Sequence, residues 1–253
     1  MDITAISAAK FVAHTHVLHW DGGMSSYVDV ARLLLELNTI VKTMAKGNMQ
    51  HFHTQERSLY EPLKEVLDAQ LPARGFVNVE NVLHKTTASS KKTDLSLRNI
   101  SQLPKARLAK DMECTHFVEI KSVFHGEALT RAAIEDDLVK LLACEAAYQS
   151  VGFFALVGLH NDLQRNKTAL QILGALGQNN DPFTVKTHQG TTVWLRPAGS
   201  YLADEPFVYV WEVSASNIFT KERRSGCSFS LFQKRITRGG DVGSPQSASA
   251  GLS

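Results

Sequence analysis

The chain has 253 residues, of which 43% are hydrophobic and 21% charged, and its formal net charge is +2. This composition suits a globular protein with a sizeable core and excludes a strongly basic nucleic-acid coat protein, so any nucleic-acid contact must come from local patches. Cys114, Cys144 and Cys227 are far apart and odd in number, which gives neither a zinc spacing nor a disulfide framework and fits a reducing cytoplasm.

The chain does not open on a charged segment followed by an apolar run. No stretch reaches the ~18 apolar residues of a membrane span. A soluble cytoplasmic protein with no membrane partner is therefore expected. Residues 3–17 fit a short helix ending before the turn signal Asp21-Gly22-Gly23. Five of the ten histidines (His14, His16, His19, His51 and His53) fall in the first 53 residues. Imidazole clusters can bind zinc or nickel, but neither a cysteine nor an HExxH frame accompanies them, and polar surface is the preferred reading.

Ser25 or Ser26 can cap a helix running to about Lys46. Val30, Leu33, Leu34, Leu37, Ile40, Val41 and Met44 keep helical spacing and mark its buried face, and Gly47-Asn48 ends it. Residues 56–71, ERSLYEPLKEVLDAQL, read as a second helix with a Tyr60, Leu63, Leu67 stripe. Glu56 lies four positions before Tyr60 and continues that stripe, so its carboxylate is either solvated at the helix end or aimed at a site. Pro62 either kinks this helix or marks its true first turn.

After a turn at residues 72–75, residues 76–84 alternate as a strand does, with Glu80 either solvated or touching the site. A polar loop follows, then a short strand around DLSLR, with Leu95 and Leu97 on one side and Asp94 and Ser96 on the other. Residues 99–113 form a long, partly basic connection. The stretch HFVEIKSVF, residues 116–124, is the centre of the chain's chemistry. Phe117, Glu119 and Lys121 share one face of a strand, and Val118, Ile120 and Ser122 share the other.

A helix is expected over residues 127–149, with Ile134, Leu138, Leu141 and Leu142 buried and Asp136 and Asp137 on its surface. VGFFALVGL, residues 151–159, fits a strand covered on both faces. A helix over residues 163–176 and three strands (TTVWLRP, FVYVWEVS and CSFSLFQKR) follow. From Thr237 the Gly/Ser/Ala-rich composition predicts disorder. The division is an N-terminal helical extension, residues 1–53, packed on the core; one α/β domain, residues 54–236; and a disordered tail, residues 237–253.

In this order the elements resemble the PD-(D/E)xK nuclease superfamily, whose signature is an acidic residue on one strand and (D/E)-x-K on the next, often after a helix carrying a Glu. The matching residues are Glu56 in ERSLYEPLKEVL, Asp94 in TDLSL, and Glu119 and Lys121 in FVEIKS. The helix AAIEDDLVKLL and strand GFFALVGL follow as the family's do, and the resemblance covers roughly residues 54–160.

The resemblance implies a restriction-endonuclease-like α/β/α sandwich with a central mixed sheet, extended by N-terminal helices and C-terminal strands. It further implies Mg²⁺- or Mn²⁺-dependent hydrolysis of nucleic-acid phosphodiesters, DNA foremost. Asp94, Glu119 and the Ile120 carbonyl would be metal ligands, and Lys121 and Glu56 would join Asp94 and Glu119 in catalysis. Two departures stand out. Thr93, not proline, precedes Asp94, and 25 positions separate Asp94 from Glu119, which leaves Asp111 as a rival for the first acid.

Lys91, Lys92, Lys105, Arg107 and Lys110 flank the site in sequence as candidate phosphate contacts, and a second basic group lies between Lys221 and Arg238. A homodimer through the helix around residues 33–44 is a further expectation by analogy. The alternative reading keeps the fold without cleavage, as a nucleic-acid-binding or assembly module.

Overall fold

The computed structural model describes residues 29–49, 52, 55–71, 75–82, 92–99, 113–174, 181–217 and 219. The N-terminal histidines, His14, His16, His19, His51 and His53, lie outside those residues. So do Ser25, Ser26, Lys91, Lys105, Arg107, Lys110, Asp111, the CSFSLFQKR strand and the expected disordered tail.

Seven strands form one mixed sheet: β1 (Gly75–Val82), β2 (Lys92–Asn99), β3 (Glu113–Val123), β4 (Val151–Gly158), β5 (Phe183–Lys186), β6 (Thr192–Tyr201) and β7 (Phe207–Ser214). Their order is β1-β2-β3-β4-β7-β6-β5. Pairing is antiparallel except between β3 and β4. A parallel pair needs a long crossover, and α4 (Arg131–Tyr148) supplies it.

Alternation along each strand sends side chains to two separate cores. On one face Val77, Leu95, Leu97, Val118, Ile120, Phe153, Ala155 and Val157 pack with α1 (Val30–Leu34), α2 (Leu37–Ala45) and α3 (Tyr60–Gln70). On the other, Phe117, Phe154, Leu156, Tyr209 and Trp211 pack with Ile134, Leu138 and Leu141 of α4, Leu170 of α6 (Lys167–Leu170) and the following turn. Strand β4 is thus covered on both sides, as its continuous apolar run predicts.

The helices depart from the sequence reading in four places. The single helix expected up to Lys46 is two, broken at Leu35-Glu36, and Asp29 caps the first by accepting from the Arg32 amide. Their apolar side chains (Leu34, Leu37 and Val41) are buried in the chain's own core, with Leu33 and Met44 partly buried against it. Residues 56–59 form a 3₁₀ turn, and α3 begins at Tyr60. Pro62 therefore sits in the first turn, where its missing N–H costs no helical bond.

The α4 helix starts at Arg131 rather than Glu127, because the Thr130 hydroxyl accepts from the Ala133 amide and fixes the first turn there. The helix expected over residues 163–176 is instead α5 (His160–Arg165), α6 and a 3₁₀ turn, Gln171–Leu173, stopped by Gly174 at φ +73. Asn166 interrupts the run by donating its side-chain amide to the Glu127 and Asp162 carbonyls. Strand β5, absent from the sequence reading, is four residues long and too short for its alternation to register.

Candidate functional site

Asp94 lies where the sheet opens. Pairing of β2 with β3 runs from Asn99/Glu113 to Leu95/Val118 and stops there. On the other side, pairing of β1 with β2 goes from Val79/Leu95 to Asn81/Thr93, passing over Glu80 and Asp94. Glu80 has φ 48, a conformation that L side chains rarely adopt. The Ile120 amide, beyond the last β2–β3 pair, donates to Asp94 Oδ2 at 2.7 Å. A strand residue's N–H and C=O project to the same side, so the Ile120 carbonyl also faces the opening next to Asp94.

The register that pairs Leu95 with Val118, both in the α3-side core, sends Asp94 and Glu119 to the other face. Around them five further side chains from four elements form a nearly closed circuit. The Tyr60 hydroxyl donates to Asp94 Oδ1 at 2.6 Å and lies 3.2 Å from Glu56 Oε1. Both Glu56 oxygens are 3.3 Å from Lys121 Nζ. The same ammonium is 2.7 Å from Asp137 Oδ2, whose other oxygen is 2.9 Å from Lys140 Nζ. Lys140 in turn reaches Glu119 Oε2 at 2.7 Å, and Glu119 adjoins Ile120, whose amide holds Asp94.

Four carboxylates thus face two ammonium groups, two positive charges short when all are ionised. Glu119 is completely buried, and its Oε1 has no hydrogen-bond partner. Desolvation pushes its pKa well above the ordinary carboxylate value, and Asp94 and Asp137 add to the rise against the pull of Lys140. Burial also raises Asp94, opposed by the Tyr60 and Ile120 hydrogen bonds and by Lys121, and it raises Glu56 against Lys121. For Lys121 and Lys140, burial works against the charge, but Asp137 with Glu56 in one case and Glu119 with Asp137 in the other outweigh it, and both stay protonated.

All four side chains expected in the site therefore share one cluster: Glu56, Asp94, Glu119 and Lys121. Glu119 and Lys121 do not form the surface pair that a Glu-x-Lys strand suggests; each binds other elements. Glu80 pairs with Arg57 at 2.5 Å rather than entering the circuit. Lys92 is exposed at the start of β2.

Three members were not legible as site residues. Tyr60 reads as one apolar stripe position, yet its hydroxyl joins two acids. Asp137 was expected on a helix surface; it is buried, because Lys121 and Lys140 draw it inward, while Asp136 stays exposed. Lys140 is one lysine among many along the chain. Its one available signal was the Asp137-x-x-Lys140 spacing, which puts both on one helix face.

Four carboxylate-bearing residues short of positive charge, one with a buried unpartnered oxygen, make a donor set that suits a hard divalent cation. Among the described residues, no three His, Cys, Asp or Glu side chains already form a cage around one point; the Lys140 ammonium stands against Glu119. No family model, curated protein or solved structure matches this chain. Among the described residues no helix is long and apolar enough to cross a membrane.

Proposed function

We propose that this protein is a metal-dependent nuclease of the restriction-endonuclease-like type, acting on DNA. The observation that carries the reading is the meeting of Asp94 and Glu119 on one face of neighbouring strands, at the point where β2 and β3 separate, with Lys121 beside them.

Asp94, Glu119 and the Ile120 carbonyl would hold Mg²⁺ or Mn²⁺, hard ions that prefer such oxygen ligands. Bound there, the ion would polarise a phosphate and make an attacking water more acidic. Lys121 would donate to that water, orient it and offset the negative charge that grows on the phosphate. Asp137 and Glu56 fix the Lys121 ammonium at 2.7 and 3.3 Å, so it is positioned before substrate arrives. Tyr60 keeps Asp94 from rotating, and the Ile120 amide holds the other carboxylate oxygen. Glu56, at 28% exposure against 12% for Asp137 and 1% for Glu119, would face the entering backbone.

Incubating supercoiled plasmid with the protein and Mg²⁺ tests the reading. Nicking is expected from the wild type and not from Lys121→Ala or Asp94→Ala. Variants that cut like the wild type would remove the site from the reaction. A wild type that binds plasmid without cutting it in Mg²⁺ or Mn²⁺ would favour the non-cleaving binding module instead.

A further inference from the structure

Lys140 has no role in the proposed reaction, yet it makes the closest contact to the most deeply buried acid of the site. Its ammonium is 2.7 Å from Glu119 Oε2 and 2.9 Å from Asp137 Oδ1, and the side chain is only 12% exposed. A neutral donor could satisfy one oxygen of Glu119 equally well; a lysine adds a charge. That charge sits against the carboxylate that the proposed cation needs, while Glu119 Oε1 has no partner. Lys140 also has a second acceptor three positions away on its own helix, so releasing Glu119 would not leave the ammonium unpaired.

We propose that Lys140 is a resident counter-cation: it holds Glu119 while no divalent ion is present, competes with the ion for that carboxylate, and falls back on Asp137 when the ion enters. The inference rests on the nuclease reading only in supposing that a divalent cation binds beside Glu119. It assigns to Lys140 control of cation affinity, a role distinct from that of Lys121. Two ammonium groups against four carboxylates become one against four when Lys140 is lost, so the ion meets both less repulsion and a vacated acceptor.

The test needs no nucleic acid. Titrating the full chain calorimetrically with Mg²⁺ alone, and separately with Ca²⁺ alone, at one fixed pH should show binding about tenfold or more tighter in Lys140→Met than in wild type. A like charge within ~4–6 Å shifts such an equilibrium by one power of ten or more. Lys140→Arg, which keeps the charge, should stay near wild type. Affinities equal within about twofold, or weaker binding in Lys140→Met, overturn the proposal.

Thermal melts guard against a folding artefact. In chelator, Lys140→Met should melt below wild type, and saturating Ca²⁺ should close most of that gap. A purely structural lysine would leave the gap the same with and without Ca²⁺, which also overturns the proposal. If Lys140→Met is unfolded in chelator, folding on addition of Ca²⁺ supports it, and remaining unfolded in saturating Ca²⁺ counts against it. A wild type that binds neither ion brings down this inference and the cation of the nuclease reading together. A wild type that binds the ion and nicks plasmid, beside a Lys140→Met of unchanged affinity, removes this inference alone.

Discussion

Two substitutions at Asp94 separate its charge from its hydrogen bonds. Asp94 accepts from the Ile120 amide at 2.7 Å and from the Tyr60 hydroxyl at 2.6 Å, one donor on each oxygen. Alanine removes both acceptors. The Ile120 amide belongs to a fully buried residue and would have no replacement, whereas the Tyr60 hydroxyl retains Glu56 at 3.2 Å. An abandoned buried donor costs about 1–3 kcal/mol and a hydrogen bond to a charged group contributes about 1.5–3, so Asp94→Ala should lose roughly 2–4 kcal/mol.

Asparagine behaves differently. Its single carbonyl oxygen can take the Ile120 amide, and its NH₂ can then donate to the Tyr60 oxygen, which turns its own proton to Glu56. It also removes a carboxylate whose charge burial disfavours. Asp94→Asn should therefore stay within about 1 kcal/mol of wild type. With about 2–4 °C of Tm per kcal/mol for a chain of this size, alanine should melt lower by roughly 4–16 °C and asparagine by no more than about 4 °C. Circular-dichroism melts in chelator would measure this, and plasmid nicking in Mg²⁺ should be lost in both. Equal destabilisation by Asn and Ala would refute the hydrogen-bond assignment, and nicking by Asp94→Asn would refute the need for its charge.

Other consequences can be measured on the same footing. Lys121→Met should abolish nicking and destabilise the metal-free protein by about 3–5 kcal/mol, since it strands Glu56 and Asp137 beside their remaining partners; chemical denaturation in chelator reads this, and an unchanged midpoint would contradict it. Tyr60→Phe should cost about 1–2 kcal/mol, measured by urea unfolding, and reduce nicking without eliminating it, because Asp94 keeps the Ile120 amide. Gly158→Ala should cost about 1–3 kcal/mol in the same assay, because its Cβ would lie 2.6 Å from the Val123 carbonyl oxygen.

Glu135 gives a pH prediction away from the site. Burial pushes its pKa up, but hydrogen bonds from Arg131 and from the His188 amide and ring bring it down to about 2, below the ordinary value of 4.5. A depressed folded pKa contributes stability that is complete above about 4.5 and lost as pH falls toward 2. Its partners Arg131 and His188 are half-exposed, so about 1–3 kcal/mol is at stake. Unfolding midpoints against pH should fall more steeply in wild type than in Glu135→Gln across that window, and parallel curves would count against it.

The sequence alone determined the strands that have a strong period. FVYVWEVS is β7 residue for residue, and the apolar run after α4 is the doubly covered β4. It also marked Glu56, Asp94, Glu119 and Lys121 as candidates, through an order of elements that resembles the PD-(D/E)xK pattern and not through any one spacing. Helix breaks at Leu35-Glu36 and Asn166 were hidden, since local capping and side-chain bonds interrupt patterns that composition leaves continuous.

Only the tertiary structure decided which charges meet. Lys140 binds Glu119, 21 positions earlier in the chain, and Tyr60 binds Asp94, 34 positions later, because the β2–β3 register and the crossover of α4 bring them together. Asp137 looks like any acid on a helix surface until Lys121 from β3 stands across from it. Periodicity reports which face a side chain takes within its own element; the partner on that face comes from another element, and packing alone selects it.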